Sequence, residues 1–368
     1  MSTGFYWDER CFWHAGGNYA LTFPLGGLVQ PLAAGGLPES PETKRRLRNL
    51  MSVTGITEDL AMRSAEMCPR ADLERVHPAQ YLDKFKEMSD AGGGELGLRT
   101  PFAKGGYEIA TLSAGLARQA LLDVLSGDLD NAYALSRPPG HHCLPDWPNG
   151  FCLMANIAIA IEAAKARGLA GRVAVLDWDV HHGNGTEHIF YDRDDVLTIS
   201  IHQEKNYPLD TGDVADKGRG AGEGFNMNIP LPPGVGHVGY LETMERIVLP
   251  ALDRYKPDVI IVASGFDAGI YDPIAQMMCT VETFGAMTGQ VKDAAERLCD
   301  GKLLMVHEGG YSEVYVPFCG HRVLEVLSGS SRTAPDPMAP TVAARQPNDR
   351  ANAHISALIG EFAGEFGL

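Results

Sequence analysis

Val173-Ala-Val-Leu-Asp-Trp-Asp-Val-His-His-Gly-Asn-Gly-Thr186 begins as an apolar run and ends in a dense polar cluster. An apolar run without polar alternation reads as a strand buried on both faces, as in a parallel sheet. Val259-Ile-Ile-Val-Ala-Ser264 repeats the pattern ahead of Gly-Phe-Asp-Ala268. Further candidate strands are Gly4–Trp7, Ala132–Ser136, Val196–His202 and Leu303–His307. Between them Ile109, Leu112, Leu116 and Ala120 recur at helical spacing towards Gly127. Phe284, Met287, Val291, Ala295 and Leu298 do the same towards Gly301. Strands separated by helices predict an α/β fold with three αβα layers around a central, mostly parallel sheet.

Outward from these runs, Gly92–Gly106 is glycine-rich but lacks a Gly-Lys-Ser/Thr ending, so it reads as a surface loop rather than a phosphate loop. Ser328–Asn348 carries four prolines and reads as an extended connector, and Ala351–Leu368 as a helix that docks back on the body. With no repeat and no boundary, residues 1–368 are expected to form a single domain. The chain is 45% hydrophobic and 21% charged, which argues against disorder. No apolar run reaches the roughly 18–20 residues of a membrane span. The N-terminal stretch lacks a basic-then-apolar secretion pattern, and the seven cysteines are scattered without a CxxC pair. A cytoplasmic protein with reduced thiols is expected. Lys+Arg 31 against Asp+Glu 47 leaves −16, which disfavours nucleic acid and suits a cationic substrate or one on a basic tail.

In open α/β sheets ligands bind beyond the carboxyl ends of the strands, and the polar clusters lie there. Asp179 and His181 are two apart, so in an extended chain both leave the same face. A carboxylate oxygen and an imidazole nitrogen together suit zinc or another divalent transition metal, although a lone Asp-x-His reads more readily as a turn with solvated polar groups. Asp267, after the second strand, would complete three ligands and leave a position for water; alone it would serve as well as a helix cap. Arg137-Pro-Pro-Gly-His-His142 presents His141 and His142 at the same rim, where paired histidines can act as general base and general acid. Glu308-Gly-Gly-Tyr311 adds a hydroxyl able to polarise a carbonyl.

Taken together, PPGHH, DWDVHHGNGT, SGFDA with DP four residues later, and EGGY resemble the zinc-dependent histone deacetylase family. The class II branch and the bacterial histone deacetylase-like amidohydrolases fit best, since GNGT stands where class I carries GDG. The likeness covers roughly residues 75–325. It implies an arginase/deacetylase-like fold and hydrolysis of an acyl group from a lysine side chain. It implies Zn²⁺ on Asp179, His181 and Asp267, and Tyr311 as the catalytic tyrosine. His141 would pair with Asp177, and His142 with Asn184, a neutral partner where class I has Asp. Such a partner weakens support for the imidazolium and leaves open which histidine protonates the leaving amine.

The family also holds monovalent cations, K⁺ or Na⁺. One site would use Asp177, Asp179, His181, Ser200 and Ile201, and a second Phe190, Arg193, Val196 and Phe225. Gly150, Phe151 and Tyr207 would wall a narrow tunnel. Ile274, after Asp-Pro, stands where a polyamine-selective relative places glutamate, which favours acyl-lysine peptides or proteins over acetylpolyamines. Family habit makes a homodimer or homotetramer plausible, with no membrane partner. A non-catalytic acyl-lysine binder would have lost Tyr311, and an arginase-like enzyme would need a DAHxD-like pattern. His182, His202, Cys143 and Cys152 read as structural, and Glu95 is a candidate clamp for substrate amides at the rim.

Overall fold

The computed structural model describes residues 2–14, 19–24 and 36–368. Among these, eight strands form one sheet in which every pairing is parallel. In chain order they are β1 (Thr3–Tyr6), β2 (Ala61–Arg63), β3 (Asn131–Ala134), β4 (Val173–Asp177), β5 (Val196–Gln203), β6 (Asn226–Leu231), β7 (Val259–Ser264) and β8 (Leu303–His307). Across the sheet the order is β6-β5-β4-β7-β8-β3-β1-β2. The two strands that apolar runs do not announce, β2 and β6, are its edges. β2 has three residues. β6 alternates, with Met227, Ile229 and Leu231 in the core, Asn226 and Asn228 bonded to Glu187, and a proline that an edge strand tolerates.

Neighbouring residues of the central strands face opposite layers, as the pleat requires. Val175, Ile261 and Leu304 pack under α2 (Gly106–Leu125) and α3 (Asn156–Lys165). Leu176, Val262 and Met305 pack under α1 (Glu42–Thr54), α4 (Val281–Cys299) and α5 (Val316–Ser328). This is the αβα sandwich. α4 starts at a capping box: the Thr280 hydroxyl accepts from Thr283 N at 3.2 Å and the Thr283 hydroxyl from Thr280 N at 2.9 Å.

Two connections differ from the sequence reading. Gly92–Gly106 contains an antiparallel pair, Gly93–Glu95 with Pro101–Ala103, rather than a plain loop. The proline-rich connector carries a short helix, Ala339–Ala344, with Pro340 in its first turn, where a missing N–H breaks no helical bond. The last helix, α6 (Asp349–Glu365), is capped by Asn348 and docks through Ile355, Ile359 and Phe362. Among the described residues no helix is long and apolar enough to cross a membrane. β4, β7, β8 and β3 lie side by side at the centre, so the loops leaving their carboxyl ends meet.

Candidate active site

Beyond β4 the chain stays extended. Trp178 and Val180 turn into the core, and Asp179 and His181 turn the other way. Backbone donors fix the carboxylates. Asp179 Oδ1 accepts from His181 N at 2.9 Å and Oδ2 from Gly309 N at 2.7 Å, while Asp267 Oδ1 accepts from Val180 N at 2.8 Å. Asp267 therefore caps no helix. His181 Nδ1 lies 3.1 Å from Asp179 Oδ1 and 3.1 Å from Asp267 Oδ2. Three potential ligand atoms thus converge within 4.8 Å. Donors around one tetrahedral zinc at about 2.0–2.1 Å stand about 3.3–3.5 Å apart, so this buried pair of carboxylates with one imidazole fits zinc.

The charges explain why a cation is wanted here. Burial pushes the Asp267 carboxyl up to about 6, with the nearby Asp179 carboxylate adding to it. Burial alone would also raise Asp179, but the charges of His141 and His181 outweigh it and hold that carboxyl well below the usual range. Burial would lower His181, yet its bonds to Asp179 and Asp267 raise it to about 10.

The tandem histidines come from the turn after β3. His141 Nδ1 is 2.9 Å from Asp177 Oδ2, and His142 Nδ1 is 2.8 Å from Asn184 Oδ1, with ring centroids 4.0 Å apart. Both Nδ1 atoms are engaged, leaving each Nε2 to handle a proton; that of His141 is 3.8 Å from Asp179 Oδ1. The partners split the pair. Burial disfavours the charged form of both rings, but Asp179 and Asp177 overcome it at His141, whose pKa lies well above the ordinary value. At His142 the charges of His141 and His181 reinforce burial, and its pKa lies well below. Tyr311, on the glycine turn after β8, has its ring 6.4 Å from that of His181. Burial, then the charges of Asp267 and Asp179, hold its hydroxyl protonated as a donor.

A cleft of about 220 Å³ opens above this floor, walled by Gly150, Phe151, Tyr207 and Ile274 together with Arg99 and Asn206. Gly150 and Phe151 both have left-handed backbones, with φ of 53° and 69°. A side chain at 150 would run into the His142 ring, so only glycine fits there. The Phe151 ring stands 5.8 Å from that of Tyr311, and the Tyr207 ring 5.0 Å from that of His142.

The remaining sequence candidates fall as follows. Asp177, Asp179 and His181 lie at and beyond the carboxyl end of β4, beside Ser200 and Ile201 within the adjacent β5, with Asp177 paired to Ser200 in register. Around the second expected cation site, the Phe190 carbonyl accepts from Arg193 N at 3.0 Å and the Phe225 carbonyl from Thr198 N at 2.9 Å, while Val196 opens β5. His182 is bonded to Thr211 and Glu187, and His202 to Ser200 and the Gly212 carbonyl, which are structural arrangements. Cys143 and Cys152 are buried, and burial raises both thiols. Glu95 Oε1 is taken by the Tyr19 hydroxyl and Thr100 N.

The histone deacetylase domain matches residues 37–327. The chain belongs to the histone deacetylase family. It is 57% identical over 366 residues to the histone deacetylase-like amidohydrolase of Pseudomonas aeruginosa, covering 100% of this chain and 96% of that one. It is 37% identical over 303 residues to a probable deacetylase of Archaeoglobus fulgidus, covering 81% and 84%. The crystal structure of the HDA15 HD domain superposes with a TM-score of 0.83 at 29% identity, over 99% of this chain and 96% of that one. The fold is therefore that of the family, and the protein is a hydrolase of a family that acts on amide bonds.

Three residues at the family site escape a motif-by-motif reading. Glu308 Oε2 accepts from Gly140 N at 2.7 Å and His141 N at 3.1 Å, tying the histidine turn to the turn after β8. Asp272 accepts from Tyr311 N at 2.9 Å and Ile274 N at 3.0 Å, linking the tyrosine to the cleft wall. Their signal was present: each is an acid beside a recognised motif, in EGGY and in Asp-Pro. Arg99 had no signal, because it comes from the stretch read as a surface loop.

Proposed function

We propose that the protein removes acetyl or related acyl groups from lysine side chains of peptides or proteins, with Zn²⁺ held by Asp179, His181 and Asp267. Zinc bound there would polarise the acyl carbonyl and acidify a water. His141, through Nε2, and His142, through Nε2, would take the proton of the attacking water and return one to the departing amine. Asp177 and Asn184 orient the rings through Nδ1. The Tyr311 hydroxyl would donate to the oxyanion as charge develops, which is where a preorganised donor lowers the barrier most. Phe151 and Tyr207 would enclose the apolar lysine stem and keep bulk water out. K⁺ or Na⁺ at the two family positions would be structural.

The observation that carries this reading is the meeting of three metal donors, two oriented histidines and a tyrosine hydroxyl at the floor of one narrow cleft. The choice of lysine over a polyamine rests on Ile274, an apolar wall residue that offers no partner to a second ammonium. Burying that ammonium unpaired would cost about a few kcal/mol. A screen of acyl-lysine peptides against acetylated polyamines, with and without a chelator, tests both parts. Chelator-sensitive hydrolysis is expected, at least about tenfold better in kcat/KM for the peptides, since 1.4 kcal/mol already gives tenfold. Comparable turnover of N8-acetylspermidine would move the assignment to acetylpolyamine hydrolysis. Full activity in protein shown to be metal-free would remove the zinc chemistry.

A further inference from the structure

Arg99 is the one cation on the wall of the cleft, and no Asp or Glu lines that wall among the described residues. Its guanidinium lies over the Tyr207 ring, 5.3 Å from the centroid, on the aromatic side chain that also packs against His142. The position is fixed by the backbone. The Arg99 carbonyl accepts from Phe151 N at 3.0 Å, the Leu98 carbonyl accepts from Gly150 N at 3.1 Å, and Arg99 itself has φ of 59°. A non-glycine residue held in the left-handed region is uncommon, and such residues gather at ligand sites.

Elsewhere in the chain Arg118, Arg137 and Arg193 each answer a carboxylate. Arg99 makes no ion pair among the described residues, and the undescribed positions 1, 15–18 and 25–35 contain no Asp or Glu in sequence. Glu95, the acid nearest in the chain, is engaged by Tyr19 and Thr100. A half-buried guanidinium stacked on an aromatic face keeps its outer N–H groups for anionic oxygen.

We infer that Arg99 is a specificity-determining residue that recognises a carboxylate carried beside the acyl-lysine. The inference rests on the acyl-lysine reading and narrows it. The carboxylate comes either from an Asp or Glu side chain next to the acyl-lysine or from the terminal carboxylate of a chain-ending acyl-lysine. The surplus of acidic residues over the whole molecule does not oppose this. That field is screened beyond about 8–10 Å, while Arg99 acts at contact.

The test compares zinc-loaded protein on acetyl-lysine peptides that differ only in the neighbouring residue (Glu, Gln or Lys), each with a free and an amidated C-terminus. The expected kcat/KM order is Glu above Gln above Lys, or free above amidated, by about three- to tenfold and mostly through KM. Arg99→Met should collapse that ratio towards one, Arg99→Lys should retain part of it, and Arg99→Glu should invert it. The arm that responds identifies the source of the carboxylate. Equal rates on all peptides, or a preference that survives Arg99→Met, would overturn the inference while leaving acyl-lysine hydrolysis standing. Hydrolysis of acetylpolyamines in preference to every peptide would instead overturn the reading beneath it.

Discussion

At the scale of single residues, the two histidines differ through one atom of a partner. Asp177 gives His141 a charged acceptor, and Asn184 gives His142 a neutral one at nearly the same distance. Burial and the neighbouring positive rings hold His142 well below its ordinary value, and an amide oxygen offsets only part of that. Asn184→Asp places an opposite charge beside the ring, which favours the imidazolium and raises its pKa. In the pH profile of kcat/KM, the limb belonging to His142 should therefore move to higher pH. Movement of the alkaline limb identifies His142 as the acid that must keep its proton. Movement of the acidic limb identifies it as the base. A profile in which neither limb moves would show that His142 does not handle the proton. The residue types were legible in the sequence because each motif carries its own signal, and the pairings were expected only from the family resemblance. The direction of the splitting followed from those partners, but its extent did not, since it also depends on Asp179 and His181 packing against the pair.

At the scale of elements, the site is made by turns that follow four adjacent strands, and Gly309 shows how tightly they meet. A Cβ at 309 would collide with Asp267 Oδ2 and lie 2.7 Å from Asp179 Oδ2 and 2.9 Å from the Tyr311 hydroxyl. The backbone at that point must touch both carboxylates, and only a residue without a side chain allows it. Gly309→Ala should leave the fold intact by circular dichroism. It should lower zinc retained after dialysis and reduce kcat by about 10²-fold, as expected of an ångström-scale misplacement. Wild-type zinc content and turnover would show that the turn can yield. Strands β3, β4, β7 and β8 were legible because central parallel strands are apolar on both faces. The edge strands β2 and β6 were hidden by their brevity and alternation. The Gly92–Gly106 stretch misled for a related reason: its glycines serve a short antiparallel pair that brings Arg99 to the cleft, and only tertiary pairing reveals that.

Across the whole molecule, the histidine turn is tied to distant chain segments by buried charge. Arg137, at the start of that turn, donates through Nε to Glu39 Oε1 at 3.0 Å and through Nη1 to the carbonyls of Cys11 and His14, each at 2.9 Å. Lys44 Nζ reaches the same Glu39 oxygen at 3.1 Å. Nothing around Glu39 in the sequence marks it, because its partners are far away along the chain. Burial would raise the Glu39 carboxyl, but the charges of Arg137 and Lys44 outweigh burial and lower it to about 2. A carboxyl whose pKa is lower in the folded protein than in the unfolded chain contributes its stability above the unfolded value. That contribution, on the order of 3 kcal/mol, is lost as pH falls from about 4.5 towards 2. Glu39→Gln should destabilise the protein at pH 6, by about 3–5 kcal/mol, since it leaves two buried cations without an anion. Urea unfolding of both proteins should then show the gap between them narrowing by pH 3, as the wild type loses the ionised carboxylate that the variant never had. A gap that stays constant from pH 6 to pH 3 would mean that Glu39 does not change its ionisation on unfolding, and that the turn is held by Arg137 and its carbonyl partners instead.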